Sequence, residues 1–238
     1  RLSAPTGLSK ALALVGRAQD YLDMRGLLKR FRERSPALPF SPTSLLHFGM
    51  LPLDISKTDL EPKGVFVPQS ITEAILLEHA LSLGVQVRTG LEATGLSQTL
   101  DEAILTTSSG ETLRARYIVG CDGAHSVIRN LANIGFPTTK PKALLRLGDV
   151  KLADGATPPP FLVPLGDGYL RMITKEPLPE GFDRTTPMTL DELRDSGHRT
   201  FRLDIPLSEA RWLSRFTDAS GVADAYRSNR VFLAGDAA

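Results

Sequence analysis

The feature that most constrains the fold is a short apolar run that ends in an Asp-Gly pair and leads into a helical pattern. Residues 118–121 are apolar, Asp122 and Gly123 follow directly, and residues 125–132 have the pattern of a helix. A buried strand, a glycine turn and a helix form the unit of nucleotide-binding α/β proteins, in which the helix N-terminus offers backbone amides to a phosphate. Taken alone, the dipeptide favours a plainer alternative, a strand-to-helix turn in which the Asp caps the helix.

A second strand end of the same kind lies about a hundred residues further along the chain. Residues 230–234 form an apolar run typical of a buried strand, and Gly235 and Asp236 follow it. A carboxylate at the end of a buried strand can accept hydrogen bonds from a ribose or ribityl hydroxyl. Two such strand ends are more informative than either one, and together they indicate a nucleotide-binding sheet.

The segments around these motifs predict helices first and short strands later. Residues 8–34 have apolar side chains at spacings near three and four, which predicts a helical stretch. Residues 71–83 predict a helix that begins with a capping box of Ser70 and Glu73 and is followed by Gly84. Residues 136–223 contain frequent prolines and short strand patterns, so we expect a mostly antiparallel region. Inside it, the spacing of Thr189 and Glu192 predicts the start of a short helix over 189–194.

Composition excludes several classes of protein. With 42% hydrophobic and 23% charged residues, the 238-residue chain has an ordinary globular composition. A net charge of +1 gives no reason to expect nucleic acid or an anionic membrane as a partner. One Cys allows no internal disulfide and predicts a reducing, cytoplasmic location, and the four His show no metal-ligand spacing. The chain opens at Arg1 and stops at Ala238 directly after a strand pattern, which suggests a fragment of a longer protein.

The motifs together resemble those of a known family. The segment 116–129 (RYIVGCDGAHSVIR) resembles the Asp-Gly motif of the FAD-dependent aromatic hydroxylases of the para-hydroxybenzoate hydroxylase type, and 230–238 (RVFLAGDAA) resembles their Gly-Asp motif. The segments 16–28 and 67–73 are similar to those that carry the family's flavin-binding Arg and Gln. Order and spacing agree over nearly the whole chain, and the resemblance is to the branch that acts on aromatic polyketides, rifamycins and phenolic compounds.

The resemblance implies an α/β architecture that is incomplete at both ends. An FAD/NAD(P)-binding Rossmann-like domain is expected to be interleaved with a mostly antiparallel, β-rich substrate domain. The FAD-binding domain would comprise residues 1–44, 69–135 and 224–238. The substrate domain would comprise residues 45–68 and 136–223.

The resemblance also implies which residues bind the flavin. Arg17 would contact the pyrophosphate or ribityl region of FAD, because a guanidinium matches the geometry of a phosphate. Gln69 would bind the ribityl side of the flavin, and Asp236, after Gly235, would bind a ribityl hydroxyl. The backbone of Ala93 would meet the adenine.

Four further residues would lie where FAD and the nicotinamide cofactor approach each other. Asp122 and Gly123 would lie near the FAD pyrophosphate and the route of the nicotinamide cofactor. His125 and Arg129, in the helix that follows, would help to hold the phosphates of NADPH or NADH. Many relatives of the polyketide type carry Arg in place of His125.

The reaction implied by the resemblance is hydroxylation of a small aromatic substrate with O₂. In this family, NADPH or NADH reduces FAD, and a C4a-hydroperoxyflavin then delivers one oxygen atom to an electron-rich ring. The cofactor does the chemistry, so no catalytic acid or base and no metal are expected in the chain. Phe161, Met172 and Phe201 are candidates to line the substrate site, although for each of them an ordinary core position is the favoured interpretation.

Two departures from the family pattern leave alternatives open. The G-x-G-x-x-G loop should precede Arg1, and a Pro/Gly-rich loop should follow the Gly-Asp motif, so this chain alone is expected to bind FAD weakly or not at all. The alternatives are another flavoprotein on the same fold, such as a halogenase or an isoprenoid-chain reductase, and a truncated, non-catalytic remnant that acts as a binding module. The W-x-W-x-I-P signature of halogenases is absent from the sequence.

Overall fold

A computed structural model describes five parts of the chain: residues 7–35, 47–48, 51–52, 64–183 and 185–238. The expected α/β architecture with antiparallel sheets is confirmed. Helices and strands are numbered in chain order. The helices are α1 (Arg17–Asp23), α2 (Leu28–Glu33), α3 (Gln69–Ser82), α4 (Val127–Leu131) and α5 (Leu190–Phe201), and a 3₁₀ turn follows at Gly235–Ala237. The strands are β1 (Ala13–Val15), β2 (His47–Phe48), β3 (Leu51–Pro52), β4 (Gly64–Phe66), β5 (Ala93–Gln98), β6 (Ala103–Thr107), β7 (Thr112–Ala115), β8 (Ile118–Gly120), β9 (Ala143–Leu152), β10 (Val163–Gly166), β11 (Tyr169–Pro177), β12 (Leu207–Thr217), β13 (Arg227–Ser228) and β14 (Val231–Leu233).

The first three helices form a cluster with the strand pair β1 and β4, and this arrangement differs from the expected helical stretch over 8–34. That prediction is wrong for residues 13–15, which form β1 because their backbone pairs antiparallel with β4, with Ala13 opposite Phe66. Helical structure begins only at Arg17. The buried core of this helical cluster consists of Leu27, Leu28, Phe31, Val65, Val67 and Ile75. Strand β4, which lies in the segment 45–68 expected in the substrate domain, packs here against the helices.

Helix α3 confirms the helix predicted over 71–83, but not the way it begins. The capping box is wrong, because the backbone N–H of Ser70 donates to Oγ of Ser9 (3.1 Å) and the carboxylate of Glu73 accepts from Nε2 of Gln69 (2.7 Å). At the other end Gly84, with φ of +79°, ends the helix as predicted, since glycine adopts this left-handed conformation without strain.

The two strand-end motifs belong to a three-stranded sheet in the order β13-β14-β8, in which β14 and β8 run parallel. A separate antiparallel sheet, β5-β6-β7, includes the hairpin between residues 107 and 112. Between these strands and α4 lies a small buried core of Ile128, Ala132, Ala223, Val231 and Leu233.

The strand-rich region is a four-stranded sheet in the order β10-β11-β9-β12, antiparallel throughout as predicted for 136–223. Helix α5 packs on one face of this sheet, over a core of Val150, Leu162, Met172, Leu193, Ile205 and Leu207. The helix predicted over 189–194 is longer than expected and extends to Phe201, and Oγ1 of Thr189 caps its start by accepting from the backbone N–H of Glu192 (3.2 Å).

The three residues considered for the substrate site lie on the α5 side of this sheet. Met172 is fully buried in the core, and the ring of Phe161 stacks on that of Phe201 with centroids 4.0 Å apart. Ordinary core packing, the favoured interpretation, is therefore found for Met172 and Phe201, whereas Phe161 is 39% exposed.

Among the described residues, no helix combines the length and the apolar character that crossing a membrane requires.

Candidate functional site

The two strand-end motifs lie side by side at one edge of the parallel strand pair. Leu233 of β14 is in register with Gly120 of β8, and the backbone N–H of Ala234 donates to the carbonyl of Gly120 (2.9 Å). Because the carboxyl ends of parallel strands meet at the same edge of a sheet, Asp122 and Asp236 both follow strands that end there. We call the segments 120–124 and 234–237 the motif edge.

Gly120 lets α4 pack directly on β8 beside the motif edge. A Cβ atom at this position would lie 2.8 Å from Cγ2 of Ile128, closer than real side chains allow, and 3.1 Å from Cδ2 of Leu233, a tight contact. Only glycine therefore fits between the strand and the helix. Sequence reasoning did not single out this residue, although a glycine inside an apolar strand pattern signals close approach of another element.

The carboxylate of Asp122 caps α4. Its Oδ2 accepts from the backbone N–H of Val127 (2.8 Å) and of Ile128 (3.1 Å), and its Oδ1 accepts from the hydroxyl of Ser126. Partial burial acts to raise the pKa of Asp122, but these hydrogen bonds outweigh it and hold the pKa below its ordinary value. The amides expected to face a phosphate are thus engaged inside the chain. The plainer alternative, a strand-to-helix turn, is the arrangement found, but the N-cap residue is Ser126, whose Oγ accepts from the backbone N–H of Arg129 (2.9 Å), and Asp122 binds the two preceding amides.

The buried side chain of Arg129 links the two motifs through hydrogen bonds to a backbone carbonyl of each. Its Nη1 donates to the carbonyl of Ala237 (3.1 Å) and its Nη2 to the carbonyl of Ala124 (2.8 Å), while the guanidinium lies 3.7 Å from the ring centroid of Phe136. The residue is buried, and its Nε has no hydrogen-bond partner within the described part of the chain. This position differs from the expected contact with a nicotinamide phosphate, because the guanidinium faces backbone carbonyls instead of solvent.

On its solvent side the motif edge has an exposed carboxylate without a hydrogen-bond partner among the described residues, and two glycines with no atoms packed against them. The carboxylate of Asp236 is exposed and has no hydrogen-bond partner among the described residues. Gly235 and Gly123 have φ of +60° and +88°, and a Cβ at either position would meet no atom within 4 Å. His125 is exposed between Gly123 and α4. A ligand can therefore approach the backbone here closely, with a carboxylate available to accept its hydrogen bonds.

A cleft of about 780 Å³ adjoins the motif edge. Its lining brings Ala93, at the start of β5, together with Asp122, Gly120 and the exposed Cys121. The structure therefore joins two of the predicted sites, the adenine position at Ala93 and the Asp-Gly motif, in one cavity. Its volume lies in the range of small-molecule and cofactor sites.

Arg17 and Gln69 belong to the helical cluster. Arg17 is exposed as the first residue of α1. Oε1 of Gln69 accepts from the backbone N–H groups of Lys10 (3.1 Å) and Ala11 (3.2 Å). Because its Nε2 also donates to Glu73, the Gln69 amide is committed to contacts within the chain.

The described residues contain no group of three or more His, Cys, Asp or Glu arranged to hold a metal ion.

A parallel strand pair whose glycine and carboxylate ends share one edge, beside a cleft of cofactor size, defines a nucleotide-binding α/β domain. A family model described as an FAD binding domain matches residues 1–238. The chain therefore belongs to this FAD-binding family of aromatic hydroxylases, as its motifs predicted.

Relatives agree with this assignment. The chain is 37% identical over 250 residues to a rifampicin monooxygenase from Streptomyces venezuelae, an alignment that covers 98% of this chain and 51% of the relative. Among solved structures, an anhydrotetracycline hydroxylase from Streptomyces rimosus aligns with a TM-score of 0.80 at 32% identity, covering 100% of this chain and 50% of the other. A Diels-Alderase of pyrroindomycin biosynthesis aligns with a TM-score of 0.85 at 30% identity, covering 100% and 53%. The chain spans about half the length of these relatives.

Proposed function

We propose that the protein containing this chain is an FAD-dependent monooxygenase that hydroxylates a small aromatic, phenolic or polyketide substrate with NADPH or NADH and O₂. The observation that carries the proposal is the motif edge, where Asp-Gly and Gly-Asp meet at the ends of two parallel strands. Relatives named as monooxygenases support the choice of reaction, since they match nearly the whole chain.

The residues present at the motif edge fit a flavin dinucleotide. Asp236 offers a carboxylate that is free to accept from a ribityl hydroxyl, and Gly235 carries no side chain that would block the approach. We assign the adenine end to the cleft at Ala93, and the FAD phosphates to the exposed guanidinium of Arg17. Gly123 adds a second open glycine beside them.

The contacts inside the chain refine the roles proposed for three other residues. Gln69 is assigned to the flavin site through the backbone segment that its amide holds, residues 10–11. Arg129 is assigned to hold the two motifs in register, through the carbonyls of Ala124 and Ala237. His125, which is exposed, remains the residue proposed to meet a phosphate of NADPH or NADH.

Bound FAD would supply the redox chemistry, accepting a hydride from the nicotinamide cofactor and activating O₂ for transfer to the ring. The task of this chain is to hold the cofactor and to present the substrate. We place the substrate on the sheet face opposite α5. Successive residues of a strand point to opposite faces, so Leu147 and its cross-strand neighbour Ile173 face away from Leu193 of α5, which packs at Gly148. Ile173 and Phe216 expose apolar surface on that face, as an aromatic substrate requires.

The test uses the purified full-length protein. We expect a flavin absorbance spectrum, oxidation of NADPH or NADH that a phenolic or polyketide compound accelerates, and a product heavier than its substrate by one oxygen atom. Since a Diels-Alderase has the same fold, a product of unchanged mass would contradict hydroxylation and indicate a cyclisation. A halogenated product would indicate a halogenase, and absence of both flavin and turnover would indicate a non-catalytic remnant.

A further inference from the structure

We propose that Arg171 is a positioning residue that fixes the backbone of residues 9–11 and, through it, the side chain of Gln69, so that the strand-rich sheet and the flavin site are held in one arrangement. The inference rests on the proposed function, because it concerns how the flavin site is held. It starts from a buried ion pair that neither the family motifs nor the motif edge involves.

Arg171 and Asp149 form this ion pair between neighbouring strands of the strand-rich sheet. The side chains of both residues are 1% exposed. Nε of Arg171 donates to Oδ1 of Asp149 (2.8 Å), and its Nη2 donates to Oδ2 (3.0 Å). The two parallel hydrogen bonds fix the plane of the guanidinium as well as its charge.

The rest of the guanidinium reaches across to the start of the described chain. Nη1 of Arg171 donates to the carbonyl of Lys10 (3.0 Å), and Nη2 donates to the carbonyl of Ser9. One side chain therefore binds a carboxylate and two consecutive carbonyls at once. Only the planar, five-donor fork of Arg can do this, because the ammonium of Lys is a compact point charge.

The same short segment is held from the opposite side by the start of α3. The backbone N–H groups of Lys10 and Ala11 donate to Oε1 of Gln69, and the hydroxyl of Ser9 donates to that of Ser70 (3.0 Å). Residues 9–11 therefore lie between Arg171, which donates to the carbonyls of Ser9 and Lys10, and Gln69. The side chain of Gln69 accepts from the amides of Lys10 and Ala11, and its backbone N–H donates to the carbonyl of Ala11 (3.0 Å). A displacement of Arg171 would be transmitted to Gln69 through a single stretch of backbone.

This arrangement indicates positioning more than added stability. Burying an ion pair costs desolvation free energy, so its presence is weak evidence that the pair adds stability. It is better evidence that the pair fixes one geometry. The neighbouring buried arginine, Arg146, provides the contrast. It pairs with Glu176 (2.7 Å) and Glu192 (2.7 Å), which belong to β11 and α5, so its ion pairs stay within the strand-rich region.

The experiment compares Arg171→Lys with the matched control Arg146→Lys in the full-length protein. FAD affinity is measured by fluorescence titration, and hydrogen exchange is measured at the amides of Lys10 and Ala11. In metal sites, outer contacts that orient a binding residue are worth about tenfold or more in affinity. On the same scale, we expect Arg171→Lys to weaken FAD binding about tenfold and to accelerate exchange at both amides. Arg146→Lys should leave both quantities within about twofold of the wild type, as expected of a change that leaves residues 9–11 in place.

A double variant serves as the control that distinguishes weaker FAD binding from loss of the folded structure. Asp149→Asn with Arg171→Met removes both buried charges together. Arg211, which also donates to Oδ2 of Asp149 (3.3 Å), has a side chain that is 43% exposed, so no unpaired charge stays buried. The double variant should show the same loss of FAD affinity while its near-ultraviolet circular dichroism stays native. Wild-type FAD affinity in Arg171→Lys, with unchanged exchange at Lys10 and Ala11, would overturn the inference and leave the proposed function intact. A wild-type protein that binds no FAD would overturn both.

Discussion

The strand-rich region and the motif edge differ in strand length, in strand pairing and in how much of each strand is exposed. In the strand-rich region, β9 alone runs for ten residues and pairs with a strand on each side, and α5 closes over a single contiguous core. At the motif edge, β8 and β14 have three residues each, and Val119 in the middle of β8 is 57% exposed. The long strands of the strand-rich region form a stable sheet with a buried core. The short strands of the motif edge end where their backbone is open to a ligand.

The polar groups of the two regions differ in the same way. Hydrogen bonds from Arg199, Ser196 and Arg146 outweigh the effect of burial and hold the pKa of Glu176 below its ordinary value, so this acid is committed to its neighbours. Asp236 has no such neighbours among the described residues. Groups that satisfy one another stabilise a scaffold, whereas a free carboxylate beside open glycines is available to a ligand.

The largest expected effect on the free energy of unfolding comes from a substitution in the core of the strand-rich region. Leu193→Ala removes a fully buried side chain from the core under α5 and leaves a cavity, so we expect a loss of about 2–5 kcal/mol in the free energy of unfolding. Urea denaturation of the full-length protein measures it. Leu203→Ala, at a position 45% exposed in the same region, is the control and should cost less than about 0.5 kcal/mol. Equal losses in the two variants would contradict the picture of one contiguous core.

A substitution at the motif edge should have a smaller effect on stability than one in the strand-rich region, and it should also weaken FAD binding. Gly120→Ala places a methyl group 2.8 Å from Ile128 and pushes α4 away from β8, which should cost about 1–3 kcal/mol. The same variant should bind FAD more weakly, because Arg129 of α4 links the two motifs. Val222→Ala, at a position that is 59% exposed and does not line the cleft, is the control for both measurements. Undiminished FAD affinity in a destabilised Gly120→Ala would show that the packing of α4 does not shape the site.

The smallest effect on stability concerns the cap of α4 and depends on pH. The pKa of Asp122 lies below its ordinary value of 3.8 in the folded state, so the ionised carboxylate stabilises the fold above that pH, and the contribution is lost as the pH falls through the folded-state pKa. Hydrogen bonds to a charged acceptor are worth about 1 kcal/mol more than hydrogen bonds to a neutral one, so Asp122→Asn should cost about that amount at neutral pH. Its melting temperature should also fall less steeply than that of the wild type below the ordinary pKa. The exposed Asp154→Asn is the control, and parallel melting curves for wild type and Asp122→Asn at all pH values would rule out the cap.

The sequence predicted the parts of the fold that depend on local chemistry. The apolar runs that end in Asp122 and Gly235 predicted two strand ends of a nucleotide-binding sheet, and Gly84 predicted the end of α3. That the two strands are parallel neighbours comes from the structure. It did not predict β1, since Leu12 and Val15, three residues apart, also match a helical spacing and the partner strand β4 is about fifty residues away. Long-range pairing decided the structure there, against the local pattern.

The candidate site was predicted in outline, but the orientation of its side chains was not. A helical Arg usually faces solvent, yet Arg129 is buried because two backbone carbonyls and the ring of Phe136 surround it. The Gln69 amide faces Lys10 and Ala11, a choice of partner that no spacing in the sequence encodes. Residue types and order identify the family, and packing decides which polar atoms stay free.

The most direct test of the central claim, that the free carboxylate of the motif edge holds the flavin, is the FAD affinity of Asp236→Ala in the full-length protein. A hydrogen bond to a charged group is worth about 1.5–3 kcal/mol, so the dissociation constant should rise by roughly tenfold or more. The melting temperature of the protein without FAD should not change, because Asp236 is exposed and accepts no hydrogen bond from the described chain. Asp154→Ala serves as the matched control and should bind FAD like the wild type. FAD affinity in Asp236→Ala equal to that of the wild type would contradict the account.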